Sequence, residues 1–160
     1  MSTLQKAIKL REEGHLESSK ELMLKLVDEE PNNPTVLYQC AWSHDVLGLE
    51  VEAVPYYVRA LETGLAGEDK RGALLGLGST YRTIGKYNLA KETLENGLKE
   101  FPHANEFYPF YAMALYNLGH HKESMEVLLR NLAELTNDEG IKQYQKAILF
   151  YADKLDNVWT

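Results

Sequence analysis

The chain has 160 residues, 44% of them apolar and 26% charged, and a formal charge of −7 from 17 Lys and Arg against 24 Asp and Glu. That balance fits one soluble folded domain and not a disordered chain, and the acidic excess argues against a nucleic-acid surface, which needs clustered Lys and Arg. The single cysteine, Cys40, excludes an internal disulfide and any multi-cysteine zinc or iron–sulfur site.

The opening stretch MSTLQKAIKLREEG mixes charged with apolar residues and contains no apolar run of signal-peptide length. The longest apolar runs, such as residues 112–116 and 147–152, fall far short of the ~20 residues that span a bilayer. Neither end carries a lipidation motif. The expectation is a cytoplasmic protein with no membrane partner.

Further along, one pattern occurs four times. Turn signals stand at Gly14-His15-Leu16, Gly48-Leu49-Glu50, Gly85-Lys86-Tyr87 and Gly119-His120-His121, spaced by 34, 37 and 34 residues. A small residue follows each glycine at a fixed distance: Ser19, Ala53, Ala90 and Ser124. A second column reads Met23, Tyr57, Leu94, Leu128, and a third Leu26, Ala60, Gly97, Asn131. On either side of each glycine the apolar residues keep a helical period, as in Leu74, Leu77, Gly78 and Tyr81. Glycine ends a helix cheaply, and proline, at Pro31 and Pro102, cannot continue one. Four helix–turn–helix units follow, at about 1–33, 34–67, 71–104 and 105–138, within one domain of residues 1–160. No segment alternates with the period of a strand, so the fold class is all-α.

The units differ in ways that carry information. The first has Thr3 and Lys6 where the others have Leu37 and Cys40, Leu74 and Leu77, or Tyr108 and Tyr111, as the polar outer face of an end unit requires. Pro55 lies near the start of a second helix; in the first turn it costs little, and deeper it would kink the helix. Three extra residues around 66–70 predict a longer loop or a first helix that starts early. The fourth unit has Thr136 where others close in proline. After it, Ile141, Tyr144, Ile148, Tyr151 and Leu155 are spaced 3, 4, 3, 4, which predicts an amphipathic helix over about 139–156 capped by Asp138 or Asn137.

The third unit, Leu74-x2-Leu77-Gly78-x2-Tyr81, then Gly85-x-Tyr87-x2-Ala90-x3-Leu94, then Pro102, resembles the tetratricopeptide repeat. The resemblance covers nearly all of residues 1–138. It implies a right-handed α-α superhelical solenoid of about four units, with the extra C-terminal helix capping the last. It also implies a concave groove, lined by the first helix of each unit, in which ligands lie.

Spacing along those first helices gives the groove candidates: Leu4, Ile8 and Arg11; Tyr38, Trp42 and Asp45; Leu75, Ser79 and Arg82; Pro109, Met113 and Tyr116, flanked by Gln5, Gln39, Phe110 and Asn117. Trp, Tyr and Met are enriched at protein interfaces. Arg11 and Arg82 are suited to hold a carboxylate or backbone carbonyls. The competing reading has these aromatics packed under the C-terminal helix or against neighbouring units. One subclass of the family grips C-terminal carboxylates with Lys, Asn and Arg; Leu4, Ile8, Gln39, Leu75 and Ser79 stand at corresponding positions, without Lys or Asn, which argues against that role.

Catalytic chemistry finds little footing. His15, His44, His103, His120 and His121 lack metal-ligand spacing. His44 and Cys40 fall in core columns, and Gly76-Leu77-Gly78 lies within a helical pattern, outside any phosphate-loop context. The expectation is therefore no enzyme, no metal and no cofactor. The leading functional reading is a protein-binding module with a peptide or partner helix in the groove. The alternative is a self-associating structural protein whose apolar groove or C-terminal helix is filled by another copy in a homodimer, with Tyr151 and Trp159 as interface residues.

Overall fold

The computed structural model describes residues 1–159. Ten helices follow in chain order: α1 (Thr3–Glu12), α2 (Leu16–Glu29), α3 (Pro34–Asp45), α4 (Glu50–Glu62), α5 (Gly67–Thr83), α6 (Tyr87–Glu100), α7 (Phe107–Asn117), α8 (His121–Leu135), α9 (Glu139–Gln143) and α10 (Gln145–Tyr151). No strand occurs among the described residues. The first eight form four antiparallel pairs, each packed on the next, so the molecule is an α-α solenoid.

Local chemistry sets the boundaries. Ser2 and Gln5 form a capping box at α1, and Asn33 caps α3 ahead of Pro34 at the first helical position. The four turn glycines share a left-handed φ of 72–86°, which closes each hairpin without a Cβ penalty. The three extra residues of the third unit lengthen its first helix: α5 has 17 residues and starts at Gly67. Pro55 is the sixth residue of α4, beyond the first turn. It leaves the Val51 carbonyl without its helical donor, on a face where Val51 and Pro55 are both exposed to water.

The buried core falls into two clusters along the stack, bridged by the partly buried Leu61 and Tyr81. Met23, Leu37, Cys40 and Tyr57 fill the first half, and Leu94, Ala104 and Phe107 the second. Small residues let the helices approach. The Ser19 and Ser124 hydroxyls donate to the carbonyls of Ala7 and Ala112 at 2.8 and 2.7 Å, the same bond in the first and last pairs. Gly97 faces the ring of Phe107 on the next unit so closely that a Cβ would lie 2.7 Å from Cδ1. At the N-terminal end Thr3 and Lys6 are exposed, a polar outer face.

Beyond residue 138 the structure departs from the expected single helix over 139–156. Tyr144, at φ −103° and ψ 9°, separates α9 from α10, and α10 ends at Tyr151. The apolar stripe is not buried as one face, for Tyr144, Tyr151 and Leu155 are all exposed. The reason lies on α8. Ala133 replaces the exposed charges Asp28, Glu62 and Lys99 of the earlier units, and there the Gln145 side chain donates to the Ala133 carbonyl at 3.0 Å. The C-terminal segment thus rests on the side of α8 that is solvent-facing in α2, α4 and α6.

Gly97→Ala tests the inter-unit contact. Overpacking a filled joint costs about 1–3 kcal/mol, partly offset by the ~1 kcal/mol gain in helix propensity. Thermal unfolding should shift down by a few degrees, and Gly97→Ala/Phe107→Leu should recover part of that loss.

Candidate functional site

Side chains of α3, α5, α7 and α8 line two separate pockets. The first is a pocket of about 520 Å³ walled by Trp42, Val46, Leu75, Ser79, Thr83 and Phe110. Tyr38 and Tyr57 make the floor. Tyr38 is buried, with its ring centroid 5.9 Å from Trp42 and 6.3 Å from Tyr57. The two hydroxyl ends are accommodated by Gly72 and Gly76, one turn apart on α5; a Cβ on Gly76 would lie 2.5 Å from the Tyr57 oxygen.

Trp42 is 42% exposed, and its orientation is fixed from behind. The Arg11 guanidinium stands 4.1 Å over its ring, a cation–π contact. Arg11 is buried and spends its donors inside the protein: Nη2 to Gln39 Oε1 at 2.6 Å, Nη1 to the Gln39 carbonyl and to Ser43 Oγ at 3.2 Å each. The clamp role expected for Arg11 is therefore corrected: it supports Trp42 and faces no open volume. Burial lowers its pKa, but an arginine stays charged at neutral pH.

Asp45 ties the floor together. Its Oδ2 accepts from the Tyr57 hydroxyl at 2.8 Å, and the Thr80 hydroxyl donates to the same carboxylate at 2.9 Å. Tyr57 belongs to the same unit and Thr80 to the next, so the carboxylate joins two repeats at the base of the pocket. Burial raises the Asp45 pKa, against the pull of the two hydroxyl donors. Burial, with the adjacent carboxylate, pushes the Tyr57 phenol far up, so it remains a donor.

A second pocket of about 450 Å³ opens between α7 and α8, where Met113, Tyr116, Met125 and Leu128 are all exposed. Arg82 and Asn117 edge it, joined by a bond of 3.2 Å from Arg82 Nη1 to Asn117 Oδ1. Arg82 Nε is buried with no hydrogen-bond partner. No described carboxylate pairs with this guanidinium, which leaves it a cation available to a ligand.

Of the sixteen side chains singled out by sequence, Tyr38, Trp42, Asp45, Leu75, Ser79 and Phe110 meet at the first pocket. Arg82, Met113, Tyr116 and Asn117 meet at the second, and Arg11 lies beneath Trp42. Tyr57, Thr80, Gly72 and Gly76 are not among them. Tyr57 sits in a core column and serves both core and pocket. The one available signal for the glycines is their i, i+4 spacing inside a helix, where glycine costs stability without a packing reason.

The other polar candidates are structural. His44 is buried and its Nδ1 donates to the Cys40 carbonyl at 2.8 Å. Burial drives the Cys40 thiol pKa up to about 12, so it stays protonated.

Asp45→Asn tests the floor carboxylate. A carboxyl whose folded pKa is raised holds its proton better in the folded state, so the wild type loses stability as pH rises from ~3.9 through the raised value. The asparagine can still accept both hydroxyls and has no proton to lose. Denaturation curves across that window should show a falling stability in wild type and a flatter profile in the variant.

A family model described as Tetratrico peptide repeat matches residues 34–155. No curated protein matches the chain. Among solved structures, a double mutant of MamA RS-1 superposes with a TM-score of 0.75 at 18% identity, over 96% of this chain and 85% of that one. A putative kinesin light chain with nearly identical TPR-like repeats from Podosopora anserina gives 0.72 at 17% identity, covering 96% and 85%. YrrB, described as a TPR protein with an unusual peptide-binding site, gives 0.67 at 16% identity, covering 97% and 86%. At these identities the superpositions show a common fold. With the family model matching three quarters of its length, the chain belongs to the tetratricopeptide repeat family.

Proposed function

We propose that this chain is a non-catalytic binding module that holds an extended peptide or a short helix of a partner protein in the groove formed by α3, α5 and α7. The observation that carries this reading is Trp42. A large aromatic left 42% exposed is ordinary at an interface and wasteful on a free surface. Here three neutral hydrogen-bonding groups and a buried arginine are committed to keeping it in place. Such preorganisation reduces the ordering cost that a ligand meets.

The chemistry of the ligand follows from the walls. The Trp42 pocket, lined by Leu75, Val46 and Phe110, suits an aromatic or branched aliphatic side chain. Beyond it, Arg82 offers an unpaired cation for a carboxylate or a main-chain carbonyl. An apolar anchor followed by an acidic residue fits both. The peptide-binding site of YrrB supports the use of this fold for peptide capture. Acid–base or nucleophilic chemistry has no comparable support: Asp45 is bonded to two hydroxyls, and Cys40 is buried and protonated.

The test is selection from an unbiased peptide display library on the wild-type chain, followed by titration of the selected peptides. Trp42→Ala should weaken them at least tenfold, about 1.4 kcal/mol, while circular dichroism stays unchanged. Arg82→Gln should weaken acidic ligands selectively. Peptides that bind a folded Trp42→Ala variant as tightly as wild type would overturn the reading.

A further inference from the structure

We infer that the groove takes a ligand charged in a fixed order: a lysine or arginine side chain at Asp45 and Glu50, the apolar anchor on Trp42, and the acidic group on Arg82. The inference rests on the groove reading and adds to it the sign of charge at each end.

The two pockets carry opposite charge. One repeated position sets this: three residues before each turn glycine stand Arg11, Asp45, Arg82 and Tyr116, in the last turn of each first helix. Arg11 is committed behind Trp42, with its donors on Gln39 and Ser43. Asp45 and Arg82 are left, of opposite sign and one unit apart. Glu50, the first residue of α4, joins Asp45 in the lining of the first pocket, and both are half-buried. No Lys, Arg or His among the described residues lines that pocket. The second is the reverse: Arg82 and His121 line it, with no described Asp or Glu.

The first pocket therefore lacks a counter-charge. Asp45 accepts from two neutral hydroxyls, on Tyr57 and Thr80, and an ionised carboxylate has lone pairs left after two such bonds. Burial pushes the Asp45 pKa up, and the Glu50 charge pushes it further, so the two carboxylates act on one another. Like charges held partly out of water are costly without a cation, and a ligand that brings one removes that cost. A basic side chain suits the walls as well. Its methylenes can lie along Leu75 and Phe110 while its head reaches the carboxylates. Helices α3 and α5 pack directly on one another. Packed helices lie about 8–10 Å apart and an extended chain advances ~3.3 Å per residue, so the basic and acidic side chains stand roughly three positions apart in the ligand. Complementarity of this kind fixes the register of a bound chain and rejects the opposite charge order.

Titration of peptides selected on the wild-type chain, each with an acetylated N terminus, tests the order. The selected sequences should carry Lys or Arg at that spacing from an acidic residue, with the apolar anchor between them. Norleucine in the basic place keeps the stem and removes the charge. It should weaken binding to wild type at least tenfold and change little on Asp45→Asn/Glu50→Gln. The asparagine still accepts both hydroxyls, and Glu50→Gln alone is the second variant should the pair unfold. Glu50→Lys should prefer a peptide with glutamate in the basic place, and Glu52→Gln, exposed on α4 outside the pocket, should leave binding unchanged. Affinity that norleucine does not alter, while Trp42→Ala still weakens it, overturns the charge order and leaves the groove reading standing. A peptide that binds only with a free N terminus overturns the side-chain assignment, placing an α-amine on the carboxylates. Binding indifferent to Trp42, or no selected peptide at all, overturns both.

Discussion

A helix–turn–helix unit has two apolar faces and buries only one of them within itself, so every unit of this chain depends on a neighbour to cover the other. The joint between units is where that dependence is met. Phe107 of the fourth unit lies against Gly97 of the third, and Tyr57 of the second lies against Gly76 of the third. A bulky ring on one unit meets a missing side chain on the next. Glycine inside a helix weakens it by about 1 kcal/mol, and here the fit of the joint accounts for its presence. Each contact joins adjacent units alone, so stability spreads along the stack from neighbour to neighbour.

The groove is a by-product of the same joints. Because Tyr38 and Tyr57 reach across to Gly72 and Gly76, the floor between α3 and α5 is aromatic and closely packed. Asp45 then accepts from Tyr57 on one side and Thr80 on the other, which fixes the spacing of the two walls with one half-buried carboxylate. Trp42 rises from this floor with Arg11 behind it. The apolar wall, the polar floor and the unpaired Arg82 are consequences of residues that also hold the solenoid together, so the pocket is preformed. On α8, Leu128, Leu132 and Leu135 are exposed, and no helix among the described residues covers them.

Much of this is legible in the sequence, because period and burial are coupled in a repeat. The glycine spacing locates four hairpins, and the columns through Ser19 and Met23 identify core positions of α2, α4 and α6, while Leu128 of the second column is exposed on α8. Position along the first helices brings Tyr38, Trp42, Asp45 and Ser79 to one pocket. What sequence misses depends on contacts between units. A free arginine and a buried one look alike in a column, so Arg11 reads as a clamp when it supports Trp42 from within. Tyr57 reads as packing alone, since a core column does not reveal that one side chain serves the core and the pocket together. The C-terminal stripe implies one helix, but amphipathic spacing does not say which face of α8 receives it. A single alanine, Ala133, decides that.

The most direct test of the central claim is a crystal structure of the chain with a peptide taken from an unbiased selection. The account predicts the peptide along α3, α5 and α7, with an apolar side chain against Trp42 and Leu75 and an acidic group or carbonyl on Arg82. A peptide seated on the outer faces of α2, α4 and α6, or on the open end of α8 with the Trp42 pocket empty, would contradict it.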